Sequence, residues 1–207
     1  MKLYYSPGAC SLAPHIVARE AGIALTLERV DTKTKRTETG ADYLAINPKG
    51  YVPALQLDDG SLLTEGPVTS QYLADLAPQS ELAPRAGTIA RYRLQEWLGY
   101  INSELHKTYS PLFNPDTGEA VRVERRAYLT KRYALVEQHL ASHAHLLGDR
   151  FSVADAYLFV VTTWARPTNL DLSPFPALRA FQERVAARPA VQAAMAAEGL
   201  IERGKAA

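Results

Sequence analysis

Apolar and polar positions change their period along this chain, and the change divides it in two. Residues 3–5 (Leu-Tyr-Tyr) are a short strand-like run closed by the breakers Pro7-Gly8. From Leu12 to Ala21 the apolar side chains recur at helical density. Ser11 stands as a plausible N-cap, Pro14 falls in the first turn or so, and Gly22 ends the helix. Residues 26–30 alternate as a second strand. Strand, helix and strand in immediate succession make a βαβ unit, which predicts a parallel pair with a right-handed crossover. The polar stretch 31–39 (DTKTKRTET) reads as a loop and 41–46 as a short helix.

Residues 47–66 (NPKGYVPALQLDDGSLLTEG) carry the clearest local instructions. Val52-Pro53 opens the strand 54–57, since proline is tolerated at the first residue of a strand but cannot donate to a ladder in its centre. Asp59-Gly60 supplies the positive φ of a tight turn. Residues 62–64 return as a strand, Glu65-Gly66-Pro67 break it, and 68–76 have helical spacing. The first part therefore reads β-α-β-α-β-β-α, an α/β domain over 1–78 with a four-stranded mixed sheet.

Residues 77–87 (APQSELAPRAG) hold two prolines and a glycine, so 79–87 reads as a linker, and beyond it no strand is expected. A long helix is predicted over 88–109, where Leu94, Trp97, Leu98, Ile101 and Leu105 repeat at three- and four-residue steps. Residues 111–118 break it. A second long helix is expected over 119–145, a third over 151–165, and two more over 175–187 and 191–200. The second part, 88–207, is thus an all-α bundle. Ser152 with Asp155 three residues on forms a near capping box, with Asp in place of Glu or Gln. The helix after it (AYLFVVTTWA) is apolar on every side, which predicts the buried centre of the bundle and makes Asp155 a buried acid held by backbone N–H groups.

Composition changes this picture little. The chain has 207 residues, a net charge of +1 and 47% hydrophobic residues, as an ordinary globular protein does. Near-neutral charge argues against a dependence on nucleic acid or on an anionic membrane. The longest nearly uncharged run, 156–165, is far short of the ~20 residues that span a bilayer. Met1-Lys2 leads straight into the first strand with no charged-then-apolar leader, so a cytoplasmic location is expected. A single cysteine, Cys10, excludes an internal disulfide and a cysteine-based zinc site; no metal is expected.

Several residues could carry chemistry, each beside a plainer role. Cys10 lies between a strand and a helix N-terminus, where the helix dipole favours the thiolate; otherwise it is a small apolar filler. Ala13, where a dithiol motif would place its second cysteine, argues against a dithiol oxidoreductase. Val52-Pro53 either just starts a strand or, as a cis peptide, offers the Val52 N–H and C=O to a ligand's backbone. Glu65 either complements a helix dipole or accepts a ligand ammonium while neighbouring N–H groups hold a carboxylate. Lys35 sits in a charged loop, where most lysines are simply solvated. Gly99, Asn102, Ser103 and His106 form a polar stripe beside the apolar one; it either complements the helix terminus or lines an interdomain cleft.

The motifs SPGACS (6–11), NPKGYVPAL (47–55), LTEG (63–66), SELHK (103–107) and FSVADAYLF (151–159), in this order and spacing, resemble the bacterial beta-class glutathione S-transferases. The resemblance spans essentially the whole chain. It implies a thioredoxin-like N-terminal domain, an all-α C-terminal domain, usually a homodimer, and glutathione as co-substrate. Val52-Pro53 would be the cis-proline site pairing with the cysteinyl part of glutathione. Glu65 and Gly66 would hold its γ-glutamyl end, and Lys35 its glycine carboxylate. Cys10 would lie near the glutathione sulfur, able to form a mixed disulfide, and His106 would act on the electrophile side with Lys107 and Tyr109. Ser103 and Glu104 match the segment that completes the γ-glutamyl site, Glu104 across the dimer. Gly66 stands where many transferases have serine, and Gly99 where relatives carry asparagine. The implied activity is conjugation of the glutathione thiol to a hydrophobic electrophile. Its rivals are a glutathione-dependent disulfide reductase, peroxidase or reductive dehalogenase working through Cys10, and a non-catalytic carrier of apolar ligands.

Overall fold

The computed structural model describes residues 1–202, so the last five positions of the predicted helical domain lie outside the described residues. The chain forms two compact units. One comprises Met1–Ala83 together with the segment from Ala187 onward, the other Pro84–Ala186.

The first unit runs β1 (Lys2–Tyr5), α1 (Leu12–Glu20), β2 (Thr26–Asp31), β3 (Arg36–Thr37), α2 (Tyr43–Ile46), β4 (Ala54–Gln56), β5 (Leu62–Thr64) and α3 (Gly66–Leu76). The second contains α4 (Ile89–Tyr100), a π-helical turn (Ile101–His106), α5 (Lys107–Phe113), α6 (Glu119–Leu140), α7 (Val153–Thr163) and α8 (Pro176–Ala186). Helix α9 (Pro189–Ala197) returns to the first unit and packs on α1. Its periodicity groups this helix with the bundle, but its packing on α1 places it with the first unit.

The sheet has the order β3-β2-β1-β4-β5. Strands β1 and β2 are parallel, with Leu3 opposite Leu27, as the βαβ pattern requires. Strands β1–β4 and β4–β5 are antiparallel, with Leu3 opposite Leu55 and Leu55 opposite Leu63. This sheet has five strands rather than four. The extra one, β3, lies in the polar stretch expected to be a loop and pairs Thr37 with Val30. Two residues leave no alternation to read, and a short polar strand is what a sheet edge tolerates. One core group of this unit is Tyr4, Val30, Tyr43, Val52 and Ala54; α1, buried from Leu12 to Ala18, packs on α3 and α9.

Ser11 does not cap α1. Its backbone is already helical, and its hydroxyl bridges the N–H and C=O of Ser6 at 3.1 and 3.2 Å, which closes the turn that carries Cys10. The single helix expected over 88–109 is divided: α4, capped by Thr88, widens into the π turn and continues as α5. Pro111 removes one backbone donor without ending α5, which runs on to Phe113. Helix α6 stops at Leu140, five residues before the end predicted for it.

Helix α7 is buried from Val153 through Thr162, as its uninterrupted apolar character predicts. Asp155 closes the capping box: its Oδ2 accepts from the Ser152 N–H and hydroxyl at 2.8 and 2.6 Å. Its Oδ1 accepts from the Leu146 N–H at 2.8 Å, so the buried carboxylate also holds the connection from α6.

Candidate active site

Cys10 lies in the turn between β1 and α1, and its position follows from that turn's geometry. The thiol donates to the Val52 carbonyl oxygen at 3.2 Å. The Val52-Pro53 bond is cis and leads directly into β4. The Val52 N–H makes no hydrogen bond among the described residues. A cysteine at a helix start therefore meets a strand end at one point. The sequence placed both features but not their contact, which joins residues 42 apart.

The loop before Val52 is braced from inside. Tyr43 Oη and Asn47 Nδ2 both donate to the Tyr51 carbonyl at 2.8 Å, and both side chains are buried. Gly50 has φ +67°, which favours glycine, and a Cβ there would lie 3.0 Å from Cδ2 of the exposed Leu44, which would have to shift by a few tenths of an ångström. Lys35 is not merely solvated: its Nζ donates to Gly50 O at 2.8 Å and lies 5.6 Å from the centre of the Tyr51 ring. Tyr51 itself is exposed.

Glu65 precedes α3 with φ +70°, in the left-handed half of φ space that non-glycine residues rarely occupy. Such backbone strain collects at ligand clamps. Its carboxylate accepts from Lys49 Nζ at 2.7 Å, and the same ammonium donates to Thr64 Oγ1 at 2.9 Å. Both charges are more than half exposed, so the pair orients Glu65 more than it stabilises the fold. Gly66 is the first residue of α3, and a Cβ there would make ordinary contact with Pro53 at 3.7 Å; serine would fit.

In the second unit the polar stripe becomes a defined group. His106 Nδ1 lies 2.5 Å from Tyr157 Oη, and that hydroxyl donates to Asn102 Oδ1 at 3.0 Å. Trp164 stands edge-on to His106, its ring centre 4.8 Å away, and also meets Tyr109 and the exposed Phe113. Ser103 turns back to donate to Gly99 O. Glu104 accepts from Tyr128 Oη at 2.6 Å and is ion-paired with Arg132 Nε at 2.9 Å. Lys107 is exposed at the start of α5. Tyr109, expected on the electrophile side, is fully buried with its hydroxyl 3.1 Å from that of Tyr133. Burial drives the Tyr109 phenol far above its ordinary range, so it backs Trp164 as a neutral ring. A Cβ on Gly99 would meet nothing within 4 Å, so the glycine is not there for want of space.

Residues 8–76 match the family described as glutathione S-transferase, N-terminal domain, and residues 100–189 the corresponding C-terminal domain. Glutathione S-transferase GstA of Escherichia coli O157:H7 is 52% identical over 200 residues, covering 97% of this chain and all of that protein. The chain belongs to the glutathione S-transferase family. A Xanthomonas campestris transferase, GST-4.5, is 40% identical over 97% of this chain. Among solved structures, the ternary complex of BphK, a bacterial transferase, superposes with a TM-score of 0.95 at 56% identity over 97% of this chain and all of the other. The beta-class transferase of Sphingomonas chungbukensis superposes with a TM-score of 0.94 at 46% identity over the same share.

In this glutathione S-transferase the first unit is the thioredoxin-like domain and the second the helical one. Among the described residues no group of three or more His, Cys, Asp or Glu side chains is arranged to hold a metal, and no helix is long and apolar enough to cross a membrane. Sequence reasoning passed over Tyr43, Asn47, Lys49, Tyr157 and Trp164. Asn47 and Lys49 stand inside the NPKG motif, which is their signal in the sequence. Tyr157 could not, because its hydroxyl meets the π turn from about fifty residues away.

Proposed function

We propose that this transferase joins the thiol of glutathione to a hydrophobic electrophile. The observation that supports it best is the Cys10 thiol resting on Val52 O just before β4, where a sulfur-bearing peptide would be read by backbone pairing. The Val52 N–H and C=O pair with the cysteinyl unit, and Pro53 fixes their direction. Glu65 receives the γ-glutamyl ammonium while the first N–H groups of α3, beginning at Gly66, hold its carboxylate. Lys35, with one proton on Gly50 O, has two left for the glycine carboxylate.

In this reading the N-terminus of α1 favours the thiolate form of the bound sulfur, and placement against the electrophile supplies the rest of the rate. Cys10 exchanges with glutathione disulfide to give a mixed disulfide and release one glutathione, and His106 and Lys107 act on the electrophile side. The enzyme is a cytoplasmic homodimer in which Ser103 and Glu104 complete the γ-glutamyl site, Glu104 across the dimer; Arg132 and Tyr128 hold that carboxylate in place.

Thermal unfolding with millimolar glutathione, followed by conjugation of a generic aryl halide, tests the assignment. A raised Tm and turnover are expected; an unmoved Tm would overturn it. Cys10→Ala is expected to keep most conjugation while losing the mixed disulfide, read by intact mass. Light scattering is expected to give twice the 22.8 kDa chain mass.

A further inference from the structure

We propose that Tyr157 is a positioning residue that keeps the proton of neutral His106 on Nδ1 and so leaves the lone pair on Nε2. The inference rests on the proposed role of His106 for its consequence, but not for its geometry. A tyrosine hydroxyl has one proton to give, and an amide oxygen has none. Tyr157 Oη is 3.0 Å from Asn102 Oδ1, so the hydroxyl proton points there. The same oxygen is 2.5 Å from His106 Nδ1 and can only accept from it. Nδ1 therefore carries the hydrogen, and a neutral ring so protonated has no hydrogen on Nε2.

The surroundings make this arrangement rigid. Tyr157 is 2% exposed and belongs to α7, buried from Val153 through Thr162, so packing restricts its ring. Asn102 and His106 stand four residues apart on the π turn and reach the one hydroxyl together. The Tyr157 and Trp164 rings meet the imidazole edge-on, at interplanar angles of 73° and 71°. A base fixed in this way can take up a proton on Nε2, giving an imidazolium whose other N–H stays on Tyr157 Oη. It can return that proton to a leaving group later.

The full chain labelled with 15N histidine, without ligand, decides the matter by the imidazole nitrogen–carbon-bound-proton correlations. The expected His106 pattern is the Nδ1–H form, and Tyr157→Phe, which keeps the ring and removes only the hydroxyl, is expected to lose it. Asn102→Leu is expected to free the hydroxyl to donate to Nδ1 and so move the proton to Nε2, whereas Asn102→Asp keeps an acceptor and the original tautomer. In conjugation assays Tyr157→Phe is expected to lower kcat about tenfold, with KM for glutathione changed less than about twofold, as loss of a supporting hydrogen bond does. An Nε2–H pattern in the unaltered protein, or an Nδ1–H pattern that survives both Tyr157→Phe and Asn102→Leu, overturns the proposal. Since the spectrum needs no substrate, absent turnover would count against the transferase reading and not against the tautomer.

Discussion

Asn47 shows how much of the loop before Val52 is held by one side chain. Its amide donates to Tyr51 O while its own oxygen accepts from the Lys49 N–H at 3.2 Å. Both ends of the NPKGY loop are thereby fixed to one buried group. Asn47→Ala should cost about 1 kcal/mol, because it leaves partly buried backbone groups with fewer partners. It should also raise KM for glutathione by loosening Val52; urea titration and initial rates check the two effects separately. Gly50→Ala should cost about 1 kcal/mol or more through its positive φ, before the approach to Leu44 is counted. At this scale the sequence displays a residue's type and its neighbours. It showed that glycine and proline shape the loop, but not that Lys35 would be tied to Gly50.

Elements in the helical unit are capped by two means, one visible in the sequence and one not. The Ser152–Asp155 box is local, three residues apart, and could be read directly. Ser152→Ala should cost about 1 kcal/mol. Asp155→Ala should cost more, about 2–3 kcal/mol, because the Leu146 and Ser152 N–H groups both lose their buried acceptor. Helix α8 is capped from afar: Glu137 on α6 accepts from the Ala177 and Leu178 N–H groups at 2.9 and 2.8 Å. Nothing near α8 announces this. Glu137→Ala should destabilise by about 1–2 kcal/mol through the lost charge-assisted cap, measured by thermal or chemical unfolding. The same limit explains the missed strand β3, whose pairing with β2 is fixed by the return of the chain rather than by an alternating pattern.

Across the whole molecule, charges and hydrogen bonds between distant parts of the chain decide which helices belong together. Glu198, just past α9, accepts from the Gly8 N–H at 3.0 Å and lies 2.9 Å from His15 Nδ1. Arg188 meets Glu20 through two bonds of 2.6 and 2.9 Å. These contacts draw the last helix onto α1 and the turn before Cys10. Stability should also depend on pH. His139 is pushed below the ordinary histidine value by partial burial first and by the stacked His143 second. The unfolded chain therefore takes up that proton before the folded one does. This contribution is complete above the unfolded value of about 6.5 and is lost as pH falls through the lower folded value. Urea midpoints between pH 8 and 5 should fall on the acid side, and His139→Gln should fall less; equal acid losses would remove His139 as the cause.

By itself the sequence determined what is local or repeated: the periods that make each strand and helix, the turn at Asp59-Gly60, the capping box of α7, and the ordered motifs that place the chain in its family. These depend on side chains within a turn or two of one another, so order along the chain suffices. The tertiary structure alone decided that the Cys10 thiol rests on Val52 O, that Glu137 caps α8, that α9 returns to α1, and that Tyr157 meets His106 and Asn102. Each of these joins residues about forty or more positions apart, and a hydrogen bond between them exists only once packing has fixed both partners within about 3 Å.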